Sequence, residues 1–261
     1  MIKILACFKI ARDFEGITPS ELCSLRDGTL NISLFKKIIG CYDEAALESA
    51  RRLARSVPPE EHFILHAVTA GPCETRFAKD LYAIGFDEVF QIQPPGEICS
   101  PQETAAYIYN FIQHMGGYNT VLTGQQTWPG ESGLFPYILA KRLGLPCISQ
   151  VMELIWKNGV HITAKTDRGG YSCTVKAPAV YIVGDAVHPY LKIATLQEKL
   201  RANNRSLHTI DPSFVLPQMD TGKMIRLLYE KQERCCRFIE GDNAQEKAKN
   251  LWKEVMQPCG K

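Results

Sequence analysis

The stretch Thr120–Leu143, TVLTGQQTWPGESGLFPYILAKRL, contains the three parts of a strand–loop–helix unit. Its first residues, Thr120-Val121-Leu122, form a short apolar run that predicts a buried strand, and the apolar spacing of Leu134–Leu143 predicts a helix. The loop between them, Thr123–Gly133, contains three glycines. Because the first turn of a helix has unpaired backbone N–H groups and a favourable dipole, such a loop can hold a phosphate. Glycine loops are also common as ordinary connections, and the local pattern favours neither interpretation.

The same alternation of strand and helix extends through about residue 146. Strands are predicted at Ile2–Phe8, Phe63–Thr69, Glu88–Ile92 and Thr120–Thr123, with helices from Asp43, over Thr75–Ile84, over Pro101–Met115 and over Leu134–Leu143. Alternation at this spacing predicts a parallel sheet with helices on both faces. The carboxyl ends of the strands then share one edge, where ligands bind in such sheets. The loops expected at that edge follow Phe8, include Thr69-Ala70-Gly71-Pro72, and span Thr123–Gly133.

From Gln150 onward the pattern changes to consecutive short strands. They are predicted at Val151–Trp156, Val160–Ala164, Tyr171–Lys176 and Val180–Val183, with turns at Asn158-Gly159 and Asp167-Arg168-Gly169-Gly170. This pattern predicts an antiparallel meander that extends or caps the same sheet.

Other segments are less regular. A turn is predicted at Arg26-Asp27-Gly28, a loop or short exposed helix over Pro189–Asn204, and a linker over Thr209–Met219, which contains two prolines. An apolar stripe at helical spacing in Asn243–Gln257 predicts a terminal helix, which either folds back on the domain or packs on a partner chain. The predicted organisation is an α/β domain over residues 1–210, followed by a linker and helical arm over 211–261.

Composition excludes several classes of function. The 261 residues carry a net charge of +2, which gives no case for a nucleic-acid-binding face. No apolar stretch approaches the roughly 20 residues that span a bilayer, so that no membrane insertion is expected. The N-terminus does not resemble a secretory signal, and we expect a cytoplasmic location. The ten cysteines are scattered without a C-x-x-C pair, which predicts reduced thiols and no metal site.

Residue patterns for catalysis are missing as well. The six histidines lie apart from one another, and no Walker A loop, H-E-x-x-H or G-x-G-x-x-G is present. We therefore expect no catalytic residues. A binding protein, or a carrier whose chemistry belongs to a cofactor, is the better interpretation.

With these elements placed, the chain resembles the beta subunit of electron transfer flavoproteins from Ile2 to about Arg205. Four segments carry the resemblance. Lys3–Lys9, KILACFK, is similar to the family's KILVCVK, and Gly40–Glu48 stands where the family has NPFDExALE. The glycine loop, continuing into LAKRLGLP, matches the family's GKQAxDGDTxQxGP and LAxxLGxP. Lys176–Val180, KAPAV, matches KLPAV.

The resemblance implies a fold, partners and cofactors. The fold is a parallel Rossmann-like sheet, similar to adenine nucleotide alpha hydrolases. The chain would pair as a heterodimer with an alpha subunit and share its FAD, carrying electrons between a flavin-dependent dehydrogenase and an acceptor. It would also bind an adenine nucleotide, AMP in ordinary members and a second FAD in electron-bifurcating ones. By position, the cofactor-binding residues are Cys7, Lys9, Gly40, Cys41, Tyr42, Asp43, Ala70, Gly124, Gln125, Gln126, Thr127, Gly130, Glu131, Ser132, Gly133, Leu134 and Phe135.

One further residue corresponds to the family's dehydrogenase-docking loop. Ala194-Thr195-Leu196 matches its A-T-L segment, whose leucine anchors partner dehydrogenases. Leu196 is therefore a docking candidate. An isolated leucine in a polar segment can equally be a local packing anchor.

The chain also departs from the family pattern. Gln125 replaces a family lysine, Pro129 an aspartate, and Leu134-Phe135-Pro136 the stretch Q-x-G, while Gly40-Cys41-Tyr42 replaces N-P-F. These changes leave open whether AMP, FAD or nothing occupies the site. The leading hypothesis is an electron-carrying beta subunit without enzyme activity of its own. The alternatives are a stand-alone adenine-nucleotide-binding regulatory module and a bifurcating subunit whose own FAD reacts with NADH.

Overall fold

A computed structural model describes residues 1–13, 35–94, 100–127, 130–211, 236 and 238–256 of the chain. The turn predicted at Arg26-Asp27-Gly28 lies outside these residues, as do Trp128 and Pro129 of the glycine loop. The chain divides into two compact units, the first of residues 1–16 and 31–225 and the second of residues 17–30 and 226–261.

Strands and helices alternate along the first unit. The strands are β1 (Ile2–Cys7), β2 (Ile10–Arg12), β3 (Lys37–Ile39), β4 (Phe63–Ala70), β5 (Glu88–Ile92), β6 (Thr120–Gly124), β7 (Cys147–Trp156), β8 (Val160–Thr166), β9 (Gly169–Val175), β10 (Ala179–Val183) and β11 (His208–Ile210). The helices are α1 (Cys41–Ser56), α2 (Thr75–Ile84), α3 (Pro101–His114), α4 (Phe135–Leu143) and α5 (Leu196–Ala202). The predicted elements up to residue 146 are all present, with ends that differ by at most two residues.

Nine strands form one sheet in the order β11-β5-β4-β1-β6-β10-β7-β8-β9. All neighbours from β11 to β7 are parallel, and β8 and β9 continue as antiparallel strands. β2 and β3 pair separately as a small antiparallel ribbon. One buried core lies between the sheet and α1 and α2, and a second contains residues of α3 and α4. The predicted parallel α/β sheet with helices on both faces is thus confirmed.

Two predictions about the second half of the chain are wrong. The strand predicted at Val180–Val183 is not part of the meander. It is β10 of the main sheet, which inserts between β6 and β7 and is parallel to both. Its five residues are all buried, as expected for a central strand covered on both faces. The predicted linker begins inside a strand, since β11 contains Thr209 and Ile210 and pairs with β5. From residue 212 to 219 the predicted linker lies outside the described residues.

Within the second unit, the structure describes helix α6 (Ala244–Leu251) and the π-helical turn Trp252–Met256. The side chain of Asn243 caps α6 by accepting a hydrogen bond from the N–H of Glu246 at 2.9 Å. Leu251 and Trp252 are exposed. That this helix packs on a partner chain stays a prediction.

Membrane-spanning structure was searched for in the described part of the chain. No helix there combines the length and the apolar character needed to cross a bilayer.

Candidate functional site

The order of strands reverses between β1 and β6. From β1 the chain moves outward to β4 and β5, and it then returns to place β6 on the other side of β1. In open α/β sheets, a crevice for ligands lies at such a reversal, outside the carboxyl ends of the strands. The loop after Cys7 and the loop after Gly124 leave the sheet at this point. We call this place the reversal crevice.

Gly124, the last residue of β6, lies against the first turn of α1. A Cβ on Gly124 would stand 2.4 Å from Asp43 Oδ1 and 2.8 Å from the carbonyl carbon of Tyr42. No real side chain tolerates contacts this short, so that only glycine allows the strand and the helix to approach in this way. The resemblance to the family places Gly124 in a ligand-binding loop. The structure shows that glycine is also required at this position by the protein's own packing.

Asp43 joins three segments at the reversal crevice. Its side chain is buried, and Oδ2 accepts hydrogen bonds from the N–H of Lys9 and from Thr127 Oγ1, each at 3.0 Å. The loop after β1, the start of α1 and the loop after β6 are therefore held together by one carboxyl group.

The carboxyl of Asp43 has an altered proton affinity. Burial raises its pKa to about 7, because the charged form loses solvation, and the hydrogen bonds from Thr127 and the N–H of Lys9 oppose this increase. Burial also raises the pKa of the Cys7 thiol, and the nearby charge of Asp43 adds to that effect. Cys7 therefore stays a neutral thiol in the buried end of β1.

The remaining part of the glycine loop is more exposed. The N–H of Glu131 donates to the Thr127 carbonyl at 3.3 Å, and both Glu131 (φ 39°) and Gly133 (φ 62°) have left-handed backbones. α4 then begins with Leu134 as its N-cap, and α1 begins with Gly40 as its N-cap. Neither N-cap makes a side-chain capping hydrogen bond, so that N–H groups of both first turns can be offered to an anion.

The structure brings only part of the predicted site together by direct contact. Asp43 is linked to Lys9, Gly124 and Thr127, its charge acts on Cys7, and a Cβ on Gly40 would lie 3.5 Å from Thr127. Ala70 ends the neighbouring strand β4, in which Val68 pairs with Cys7. Tyr42, Gln125, Gln126, Gly133 and Phe135 are half-buried, and Cys41, Gly130, Glu131, Ser132 and Leu134 are exposed.

A second functional candidate is the segment Val187–Leu196. Tyr190, Ile193 and Leu196 are 80%, 87% and 74% exposed, while Leu191 and Ala194 pack against the core. Leu196 therefore does not serve as a local packing anchor. We call the segment with its exposed side chains the exposed apolar segment. These side chains are those of Val187, Tyr190, Ile193, Leu196 and the nearby Leu200 of α5.

Two carboxylates of α1 fix the backbone of this segment. Glu44 accepts a hydrogen bond from the N–H of Leu191, and Glu48 Oε2 accepts one from the N–H of Lys192 at 3.2 Å. Arg51 holds Glu48 through two further bonds of 2.9 and 2.6 Å. Glu44 and Glu48 were missed at the level of sequence, although their spacing of four residues placed them on one face of a predicted helix.

Comparison with known proteins gives similarities along most of the chain. Residues 36–195 match the family model of the electron transfer flavoprotein domain. The chain is 25% identical over 262 residues to a protein of Escherichia coli K12 provisionally named electron transfer flavoprotein subunit YgcR, covering 98% of each chain. It is 29% identical over 138 residues to the electron transfer flavoprotein subunit beta of Chromohalobacter salexigens, covering 51% of this chain and 50% of that protein.

A first prediction concerns the contact between β6 and α1. We expect Gly124→Ala to destabilise the fold by about 1–3 kcal/mol, because the added Cβ forces the strand end and the helix apart. Gly170→Ala on β9 is the matched control, since its Cβ would have an ordinary contact of 3.5 Å with the Ala164 carbonyl. Urea unfolding followed by circular dichroism measures both variants. Equal stability of the two would mean that the close approach at Gly124 is not required.

A second prediction concerns the pH dependence of stability. The folded pKa of Asp43, about 7, lies above that of an unfolded aspartate, about 4, so that the folded state binds more protons between these values. We expect the free energy of unfolding of the wild type, relative to Asp43→Asn, to fall by about 1 kcal/mol or more from pH 4 to 7 and to stay constant above. Urea titrations at several pH values measure this difference. A difference that does not change with pH would show that folding does not raise the pKa of Asp43.

Proposed function

Because the chain belongs to the electron transfer flavoprotein domain family, we propose that it acts as the beta-type subunit of an electron carrier. In this role it pairs with an FAD-carrying alpha-type subunit and accepts electrons from a flavin-dependent dehydrogenase. The partial match to a beta subunit supports the choice of subunit. The chain's own residues bind and orient, while the redox chemistry belongs to the flavin.

The reversal crevice is the observation that carries the proposal. The fold places it where α/β sheets bind nucleotides, and two helices begin there without side-chain caps. We propose that it holds an adenine nucleotide, either AMP or the adenine half of an FAD. The residues fit a nucleotide, since left-handed Gly130 and Gly133 shape a loop whose backbone leads into the start of α4.

The charges at the two helix starts favour one of them as the position of the phosphate. The buried carboxyl of Asp43 stands in the first turn of α1, and its ionised form would repel a phosphate at that helix start. α4 has no acidic residue in its first turn. We therefore place the phosphate at the start of α4. A nucleotide held there would contribute its phosphate charge and its base to the crevice, and the chain would orient both.

The exposed apolar segment supplies a docking surface. Single exposed leucines are common, but here three large apolar side chains stand out from a backbone that α1 holds in place. We propose that Leu196 and its neighbours bind the dehydrogenase. A stand-alone regulatory module would not require this surface, which favours the electron-carrier function over that alternative.

A third prediction tests the partner and the nucleotide together. Co-expression of the chain with the alpha-type subunit of the same organism is expected to yield a yellow heterodimer, whereas the chain purified alone is colourless or weakly yellow. Heat release followed by mass spectrometry is expected to give FAD and AMP, or FAD alone if the beta-type subunit is of the bifurcating kind. Recovery of no complex and no flavin would contradict the proposed function.

A fourth prediction tests docking. Leu196→Glu is expected to slow reduction of the heterodimer's flavin by the dehydrogenase about tenfold or more, because it removes a central apolar contact. Tyr171→Glu on β9, which is also an exposed large side chain, is the matched control and is expected to keep the wild-type rate. Flavin absorbance measures the rates, and unchanged flavin content confirms that the heterodimer is intact. Equal rates in the two variants would exclude Leu196 from docking.

A further inference from the structure

Gly184 follows β10 at the carboxyl edge of the sheet, beside the reversal crevice. Val183 pairs with Gly124, so that Gly184 and Gln125 are the next residues on neighbouring strands. On the other side, the N–H of Gly184 donates to the carbonyl of Val151 in β7 at 3.2 Å. Gly184 therefore lies between the carboxyl end of β6 and the part of β7 around Val151.

Two glutamine side chains from these neighbouring strands meet over Gly184. A Cβ on Gly184 would lie 2.5 Å from Gln150 Oε1 and 2.9 Å from Gln125 Oε1. Both amide groups thus occupy space that any other residue would fill. Because Gly184 has no Cβ, the two amides share the space beside it.

A bulge in β7 directs Gln150 toward this point. Between two pairs of matched residues, β7 advances three residues, from Ile148 to Val151, while β10 advances two, from Tyr181 to Val183. Gln150 lies in the extra segment and has a left-handed backbone with φ of 55°. A left-handed glutamine is unfavourable, and bulges that redirect a side chain occur often beside binding sites.

The two amides lack hydrogen-bond partners among the residues that the structure describes. Both glutamines are half-buried, and neither side chain makes a hydrogen bond to any residue in the described part of the chain. A primary amide has two donor hydrogens and an acceptor oxygen, and leaving such groups unpaired when water is partly excluded costs stability. Together with the unfavourable backbone of Gln150, this arrangement is expected where a ligand completes the hydrogen bonds.

We propose that Gln125 and Gln150 together bind the edge of a planar heterocycle that presents adjacent hydrogen-bond donors and acceptors. This inference rests on the proposed function, since the heterocycle belongs to the nucleotide of the reversal crevice. The pair is uncharged, which suits a neutral ring better than a phosphate. A glutamine amide can form two hydrogen bonds at once with the edge of adenine. The pyrimidine ring of a flavin also presents adjacent groups of both kinds, an N–H donor between two carbonyl acceptors.

The position of Gln125 agrees with this assignment. Its backbone carbonyl oxygen would be 3.2 Å from a Cβ on Gly133. Gly133 lies next to the start of α4, where we place the phosphate. Its side chain points the other way along the edge, toward Gly184. The backbone of Gln125 thus lies on the side of the proposed phosphate position, and its side-chain amide lies on the side of Gly184.

Titration of the full chain with three ligands tests the proposal. AMP contains adenine, FMN contains the flavin ring without adenine, and ribose 5-phosphate contains neither. Calorimetry on the wild type is expected to show that AMP or FMN binds more tightly than ribose 5-phosphate, and the tighter of the two identifies the heterocycle. Gln150→Gly removes the amide and also relieves the left-handed backbone, so that its fold is not at risk.

We expect Gln150→Gly to weaken binding of the preferred heterocycle roughly tenfold or more and to leave ribose 5-phosphate unchanged. Asn158→Gly, which relieves a left-handed residue (φ 53°) in the β7–β8 hairpin, is the matched control and is expected to bind all three ligands as the wild type does. Gly184→Ala, whose Cβ displaces both amides, is expected to show the same selective loss as Gln150→Gly.

Three results would overturn the amide-pair assignment. The first is a wild type that binds neither AMP nor FMN more tightly than ribose 5-phosphate. The second is a Gln150→Gly variant that still binds the preferred heterocycle more tightly than ribose 5-phosphate. The third is a Gln150→Gly variant whose binding of all three ligands is weakened equally. The electron-carrier function is judged separately, by whether the flavin-containing heterodimer forms. A heterodimer that forms while the preference is absent therefore rejects the amide pair and keeps the proposed function.

Discussion

The close contact between the end of β6 and the first turn of α1 is the constraint on which the candidate site depends. It is possible only because Gly124 has no Cβ, and it brings the carboxyl of Asp43 to the point where the order of strands reverses. Asp43 then binds the loop after β1 and the loop after β6 through one oxygen. A larger residue at position 124 would displace the first turn of α1 and with it Asp43, through which the two loops are joined.

Helix α1 connects this contact to the rest of the molecule. Its first turn contains both Asp43 and Glu44, and the next turn carries Glu48. Glu44 and Glu48 fix the backbone of the exposed apolar segment. The proposed nucleotide site and the proposed docking surface are thus attached to the same helix.

The replacements relative to the family pattern gain a physical context from the structure. Gln125 stands where the family has a lysine, which at the level of sequence was only the loss of a positive charge. In the fold its amide oxygen lies over Gly184 beside that of Gln150. The loss of a charge near the proposed phosphate position is therefore accompanied by a pair of neutral amides beside Gly184, on the adjacent strand. Both observations agree with the proposal of a crevice whose selectivity rests on hydrogen bonds.

The sequence by itself determined the local elements and the type of sheet. Helix Thr75–Ile84 was predicted with its observed bounds, because the glycine that follows it is typical of a helix end. Gly85 has the left-handed conformation that this residue type favours there. The tertiary structure alone decided that β10 inserts between β6 and β7, that β11 extends the other edge, and that Gln150 meets Gln125. Secondary-structure propensity and apolar periodicity depend on residues that are near one another in the chain. They therefore predict where each strand lies in the sequence, but not which strand it pairs with. Which strands pair, and which side chains meet across them, depends on how the whole core closes, because contacts between residues far apart in sequence form only in the assembled sheet.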